Sequence, residues 1–214
     1  SFAFTTQVDI LNGTNGGDAF TGDNLTVSAG DTVNGGTGTD TVKLFGLTAA
    51  TLPQLNGVEK LYLNAPAAGL NFNVGATTVT SVELASSANP ETLTIGNGQA
   101  VKLTNNSGTT TIAGNVPTSL DLTLTGDGTT IAPATVDLTG TSLAGVTVHG
   151  VTTGSFVNLT QTGAVVKSLT IDGDAKVTFT GALTGISTID ASKAAAGTSV
   201  IIDTGIAVKF TGGA

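Results

Sequence analysis

Gly35-Gly-Thr-Gly-Thr-Asp-Thr-Val-Lys43 places glycines, one carboxylate and one β-branched residue at the positions of the calcium-binding nonapeptide G-G-x-G-x-D-x-U-x, with Val42 at the buried position U. Each part has a task. Glycine permits tight turns with positive φ that bring backbone carbonyls inward, the Asp40 carboxylate supplies the negative oxygen a hard cation prefers, and Val42 points into a core. Nine residues earlier Gly30-Asp-Thr-Val33 repeats the Asp-Thr-Val step, so the register extends to a second unit with Asp31 at the acidic position. Further upstream Gly13-Thr-Asn-Gly-Gly-Asp-Ala-Phe-Thr21 is a degenerate copy carrying Asp18 and Phe20, followed by Gly22-Asp23. Asp18 and Asp40 are 22 residues apart, more than two nonapeptides span, so about four residues must bulge out around Gly22–Thr26. The candidate calcium ligands are Asp18, Asp23, Asp31 and Asp40, with Gly35, Gly36 and Gly38 shaping the loop, and one or two sites are expected. The competing reading is that Gly/Asp/Asn clusters are ordinary turns.

The elements that must carry such loops are short. Val58–Leu63, Val79–Leu84, Thr92–Ile95, Leu120–Thr125, Val165–Ile171, Lys176–Thr180 and Val200–Asp203 are β-branched segments set between Gly, Asn, Asp and Ala clusters. In Leu120-Asp-Leu-Thr-Leu-Thr125 the leucines fall on one face and the polar residues on the other. Thr92–Thr104 matches Ser168–Thr180 without a gap, a repeated strand, turn, strand unit. Repeated short strands with small-residue turns predict an all-β, parallel β-solenoid (β-roll or β-helix) with the Gly/Asp loops near its N-terminus. A sandwich built from hairpins is the rival, with Asn56-Gly57 and Asp172-Gly173 as its turn signals. The reading divides the chain into a calcium-binding segment, 1–45, and a Thr/Ala/Gly-rich segment, 46–214, continuous with it. Thr48–Pro53 and Ser192–Ala196 could each form one helical turn, and no long helix is expected.

Composition narrows the chemistry. The 214 residues contain no Cys, and the seven basic residues are all Lys, so disulfides, thiolate nucleophiles and cysteine-ligated zinc are excluded, and a single His rules out a multi-histidine metal site. A net charge of −8 repels phosphate backbones and anionic membrane surfaces, and no apolar run is long enough for a membrane-spanning helix. The expected partners therefore include neither nucleic acid nor an inserted membrane. Aromatic residues make up 4% of the chain, too few for the sugar platforms of a typical carbohydrate-active β-helix, and no cationic Arg is present for acidic-sugar lyase chemistry. His149, in Val146-Thr-Val-His-Gly150, has no recognisable Ser or carboxylate motif beside it and is expected to be a satisfied turn residue. No enzymatic role is expected.

The repeats resemble those of the RTX (repeats-in-toxin) family. Their continuation into a Thr/Ala-rich stretch with Gly57-Val-Glu-Lys-Leu-Tyr-Leu63 and Ile186-Ser-Thr-Ile-Asp-Ala-Ser192 resembles calcium-dependent S-layer proteins of Gram-negative bacteria. Residues 13–43 carry the specific motif; the rest shares composition and cadence. The resemblance implies type I secretion, an extracellular, cell-surface location, calcium as cofactor, and self-assembly into a homo-oligomeric lattice through calcium bridges. It also implies contact with cell-surface polysaccharide through parts outside this chain. On the same resemblance Asp40, Asp31 and Asp18 take the ligand role. Three alternatives stay open: a stalk module of a secreted RTX adhesin, an ice-binding solenoid presenting Thr-x-Thr pairs, and a carbohydrate-active β-helix. The uneven intervals between Thr92-Leu-Thr94, Thr109-Thr-Thr111, Thr123-Leu-Thr125 and Thr178-Phe-Thr180 argue against a regular ice-binding array.

Overall fold

A computed structural model describes residues 1–114, 117–163 and 165–213. Period-two alternation makes strands, and the corner residues between them set where each strand stops. In chain order the strands are β1 (Phe2–Ala3), β2 (Ile10–Asn12), β3 (Ala19–Asp23), β4 (Thr32–Asn34), β5 (Thr41–Phe45), β6 (Gln54–Asn56) and β7 (Lys60–Asn64). There follow β8 (Asn71–Asn73), β9 (Ser81–Ala85), β10 (Glu91–Thr94), β11 (Ala100–Thr104), β12 (Thr109–Ala113), β13 (Ser119–Thr125) and β14 (Ala134–Leu138). The last are β15 (Gly145–Gly150), β16 (Ser155–Gln161), β17 (Ser168–Gly173), β18 (Val177–Leu183), β19 (Thr188–Lys193), β20 (Ser199–Ile202) and β21 (Lys209–Gly212).

The odd-numbered strands form one 11-stranded sheet in sequence order, and the even-numbered strands form the facing layer as a 3-stranded sheet, β2-β4-β6, and a 7-stranded sheet, β8 to β20. Every pairing is parallel, so the chain winds as a two-faced parallel β-solenoid of about ten turns. A hairpin sandwich would require antiparallel neighbours and is excluded. The odd-strand sheet runs through residues 45 and 46 without a break, whereas the facing layer is interrupted between β6 and β8.

The core is a set of columns. Phe20, Val42, Leu61, Val82, Val101, Leu122, Val148 and Ile171 are aligned rung upon rung and buried. Phe72, Leu93, Ile112 and Leu138 form the facing column. Each such side chain contributes about 1.5–3 kcal/mol of burial, so the stack is held mainly by these columns and by the inter-rung ladders. Turn length is uneven, from the 18-residue step Phe2 to Phe20 to the 26-residue step Leu122 to Val148, and the corners absorb the difference.

Neither expected helical turn forms. Around Thr48–Pro53 the backbone bonds run to adjacent rungs, as in Ala67 N–H to Leu47 O at 2.8 Å and Gln54 N–H to Asp31 O at 2.8 Å. Ser192 and Lys193 continue β19, and the alanines after them form turns. Inter-rung pairing outcompetes the helix propensity of alanine here.

Candidate functional site: the stacked corner loops

A stack of parallel rungs leaves backbone N–H groups at its corners without a ladder partner, and buried donors must be satisfied. This chain solves the problem repeatedly in one way: a side-chain oxygen of one rung accepts the backbone N–H of the rung before it. On the corner that precedes the even strands, Asp31 Oδ1 accepts Asp9 N–H at 2.9 Å, Asn106 Oδ1 accepts Ser87 N–H at 2.7 Å, and Asp127 Oδ1 accepts Asn106 N–H at 2.8 Å. Ser155 Oγ then accepts Asp127 N–H at 3.1 Å. On the opposite corner Asp40 Oδ1 accepts Asp18 N–H at 2.7 Å, Glu59 Oε2 accepts Asp40 N–H at 2.8 Å, and Thr78 Oγ1 accepts Val58 N–H at 3.1 Å.

Asp31 and Asp40, nine residues apart, therefore sit half a turn apart on opposite corners, each clamping the rung before. Asp18 and Asp40 share a corner with Glu59, making three carboxylates on successive rungs. Asp23 closes the even-side corner loop at the end of β3, where its Oδ1 accepts Leu25 N–H at 3.0 Å and Thr26 N–H at 3.1 Å. The extra residues of the 22-residue turn lie in that loop, between Asp23 and Asp31.

The two Gly/Asp loops on the Asp40 corner stack directly. A Cβ at Gly36 would overlap the Thr14 carbonyl oxygen, one at Gly13 the Gly35 carbonyl oxygen, and one at Gly38 would lie 2.7 Å from the Gly16 carbonyl carbon. Gly36 and Gly38 also have φ of 101° and 122°, so both conformation and space demand glycine there. A Cβ at Gly35 would lie 2.7 Å from Asp40 Oδ2. Asp40 is 1% exposed, and its Oδ2 has no hydrogen-bond partner. A buried carboxylate oxygen left unpaired costs several kcal/mol unless something positive reaches it.

The neighbouring groups differ. Asp31 is fully buried, but its Oδ2 accepts Ser28 N–H at 2.6 Å. Asp18 Oδ2 accepts Thr14 N–H at 2.6 Å and the Thr14 hydroxyl at 2.9 Å, and these bonds, the backbone one first, hold its pKa below the usual carboxylate range. The Leu25 backbone bond does the same for Asp23, with help from Thr26. Among the described residues no three Asp, Glu or His side chains are placed to hold a metal ion between them. A cation at Asp40 would complete its shell with backbone carbonyls of the stacked glycine loops, which suits a hard ion.

Two members of these columns escape a reading of the nonapeptide. Asp9 lies nine residues before Asp18 and 22 before Asp31, and its Oδ2 accepts Thr5 N–H at 2.7 Å just as Asp18 does from Thr14. The shared Thr-x-x-x-Asp spacing was the available signal. Glu59 carries no glycine pattern and could have been found only from the rung register.

A second buried polar group lies higher in the stack. Asp127 is fully buried, and burial raises its carboxyl pKa to about 6 against the opposing bonds from Asn106 and Thr125. Burial also raises the pKa of Glu91, against the Ser87 hydroxyl that donates to it at 2.5 Å. A carboxyl whose folded pKa is raised contributes stability that is complete below its unfolded pKa and lost as pH rises through the folded value. The Asp127 contribution to unfolding free energy should therefore increase by about 2 kcal/mol as pH falls from 7 to 4. Denaturant titrations at both pH values measure it. Asp127→Asn should flatten that slope, whatever it does to absolute stability, and an unchanged slope would show that Asp127 is not its source.

His149 lies within β15 on the outer face rather than in a turn. Its Nε2 is 3.0 Å from Asp121 Oδ1, and its Nδ1 contacts Asp172 Oδ1, so the ring bridges carboxylates of the rungs on either side and ties three rungs together.

Compared with models of known protein families, with characterised proteins and with solved structures, the chain matches none.

Proposed function

We propose that this chain is a structural module of an extracellular surface layer, in which calcium binds the stacked loops at Gly13–Asp18 and Gly35–Asp40 and stiffens the first rungs. The buried, unpartnered Oδ2 of Asp40 carries the reading, because it sits where Gly13, Gly35, Gly36 and Gly38 leave no room for a side chain and backbone carbonyls crowd together. Asp40, Asp18 and the carbonyls of the glycine loops would hold the ion; it would neutralise the Asp18, Asp40 and Glu59 column. Asp31, with both oxygens already engaged, serves chiefly as a clamp. The resemblance to RTX repeats and S-layer proteins supports secretion and self-assembly, and a long flat stack suits lateral packing. Electron microscopy of the purified chain in calcium and in chelator tests it. Ordered sheets only with calcium are expected; isolated rods in both conditions would favour an adhesin stalk.

One observation favours a second reading. Uneven sequence intervals do not prevent an array, because the corners absorb the differences: Asn71, Thr92, Thr111, Asp137 and Thr160 form one outward column. Thr109, Thr135 and Asn158 form another. Such a face is the surface an ice-binding solenoid would use. Asp137 interrupts it, and the Thr94 and Thr160 hydroxyls already donate to Asn71 at 3.1 Å and Asp137 at 2.8 Å, so it ranks second. No thermal hysteresis is expected; hysteresis abolished by Thr111→Leu would reverse the order.

A further inference from the structure

The outer face of the odd-strand sheet carries an open groove of ≈ 390 Å³ across β5, β7 and β9, lined by Thr41, Lys43, Phe45, Lys60, Tyr62, Ser81 and Glu83. It lies on the flat of the sheet and begins directly after the Asp40 corner, where Thr41 N–H bonds to Asp18 O at 2.8 Å and Lys60 N–H to Asp40 O at 3.0 Å. Register explains the grouping: Thr41, Lys60 and Ser81 form one column, and Lys43, Tyr62 and Glu83 the next. The groove thus brings together the chain's one Tyr, two of its seven cations and one carboxylate, Glu83.

The two lysines stand out electrostatically. One strand apart and offset by two residues, their Cβ atoms are roughly 8 Å apart. Neither ammonium group makes an ion pair or a hydrogen bond among the described residues. The nearest acid on that column, Glu83, is already engaged by Lys102 at 3.1 Å and by the Thr104 hydroxyl at 2.8 Å. Two unpaired like charges side by side repel and attract an anion placed between them.

The aromatic pair adds a second kind of contact. Phe45 and Tyr62 lie 5.8 Å apart between centroids at 58°, an aromatic corner, and Phe45 remains 38% exposed. The Asn64 amide donates to the Tyr62 hydroxyl at 2.9 Å and fixes that ring. Exposed rings with a fixed orientation offer a surface for apolar C–H groups, and the Thr41 and Ser81 hydroxyls offer adaptable donors and acceptors beside them.

We propose that this groove binds an acidic sugar unit of a glycan, its carboxylate between Lys43 and Lys60, its C–H face on Tyr62 and Phe45, and its hydroxyls toward Thr41 and Ser81. A bare inorganic anion would use the lysines and leave the aromatic corner empty; a neutral sugar would leave the ammonium pair unmatched. The uronic acid uses both. This site shares no side chain with those proposed to hold calcium, and the titration is run at fixed free calcium, so either can fail without the other.

The test is a titration of the full chain, at fixed free calcium, with trigalacturonic acid, a neutral galactose trisaccharide and sodium sulfate, read by calorimetry and by amide chemical shifts. The acidic trimer should bind at least tenfold more tightly than the neutral one, with shifts confined to residues 41–45, 60–64 and 81–85. The double variant Lys43→Gln/Lys60→Gln should lose at least tenfold, and Tyr62→Ala should weaken the sugar without changing the response to sulfate. All three positions face outward, and an unchanged circular dichroism spectrum verifies folding. Equal affinity for both trimers, sulfate binding as tightly as the acidic trimer, shifts centred on other lysines such as Lys176 or Lys209, or binding unaffected by these variants would each overturn the proposal.

Discussion

Gly36→Ala should destabilise the N-terminal rungs by about 3 kcal/mol or more, while Gly16→Ala, in the loop stacked against it, should change stability by less than about 0.5 kcal/mol. The contrast is geometric. At Gly36 a side chain meets a φ of 101° and the Thr14 carbonyl oxygen, whereas a Cβ at Gly16 has nothing within 4 Å. Strained backbone costs roughly 1–3 kcal/mol and overpacking against immobile atoms a similar amount, so the two penalties combine at Gly36. In a solenoid each rung is stabilised only by its neighbours, so the loss should appear as local fraying of β2 to β5 before the whole stack melts. Limited proteolysis and thermal unfolding of both variants measure it. Equal behaviour of the two would mean that the loops are not packed as described.

Asp40→Asn should abolish the stabilisation that calcium confers while leaving the calcium-free protein as stable as before. Calcium at a hundredfold excess over its dissociation constant contributes about 2.7 kcal/mol to a single-site protein, and this gain should vanish in the variant. Asparagine keeps the Oδ1 acceptor for Asp18 N–H, a role Asn106 already plays for Ser87 N–H at 2.7 Å in its own rung. What it removes is the charge on the unpartnered Oδ2. Denaturant unfolding of wild type and variant, each in calcium and in chelator, separates clamp from ligand. A variant destabilised equally in both conditions would make Asp40 a clamp alone.

The fold was legible wherever alternation was strong. Leu120, Leu122 and Leu124 point inward as the sequence pattern requires, because a strand buried on one face cannot slip by one residue without exposing all of them. Turn length was not legible. The matched units Thr92–Thr104 and Ser168–Thr180 are both strand, corner, strand, yet the first runs from β10 on the even side to β11 on the odd side and the second from β17 on the odd side to β18 on the even. The resemblance reflects similar local chemistry at opposite corners, so it does not give the period. Only inter-rung pairing fixes that, and pairing partners 18 to 26 residues apart leave no constant interval to detect.

The corner loops were legible in part. Asp18, Asp31 and Asp40 carried a pattern, but their division of labour depends on which oxygen meets which N–H of another rung, and no local spacing encodes it. Asp127 was not singled out, because Thr125-Gly-Asp-Gly128 has the local sequence of an ordinary turn; its full burial, which raises its pKa, comes from neighbouring rungs. His149 lacked a local partner for a similar reason, since Asp121 and Asp172 reach it from the rungs on either side.

Amide hydrogen exchange of the full chain, mapped by peptide in calcium and in chelator, tests the central claim most directly. Calcium between the stacked loops predicts slower exchange across residues 9–59, strongest at Gly13–Asp18 and Gly35–Asp40, with little change beyond β9. Identical exchange in both conditions, or protection spread evenly along the stack, would contradict it.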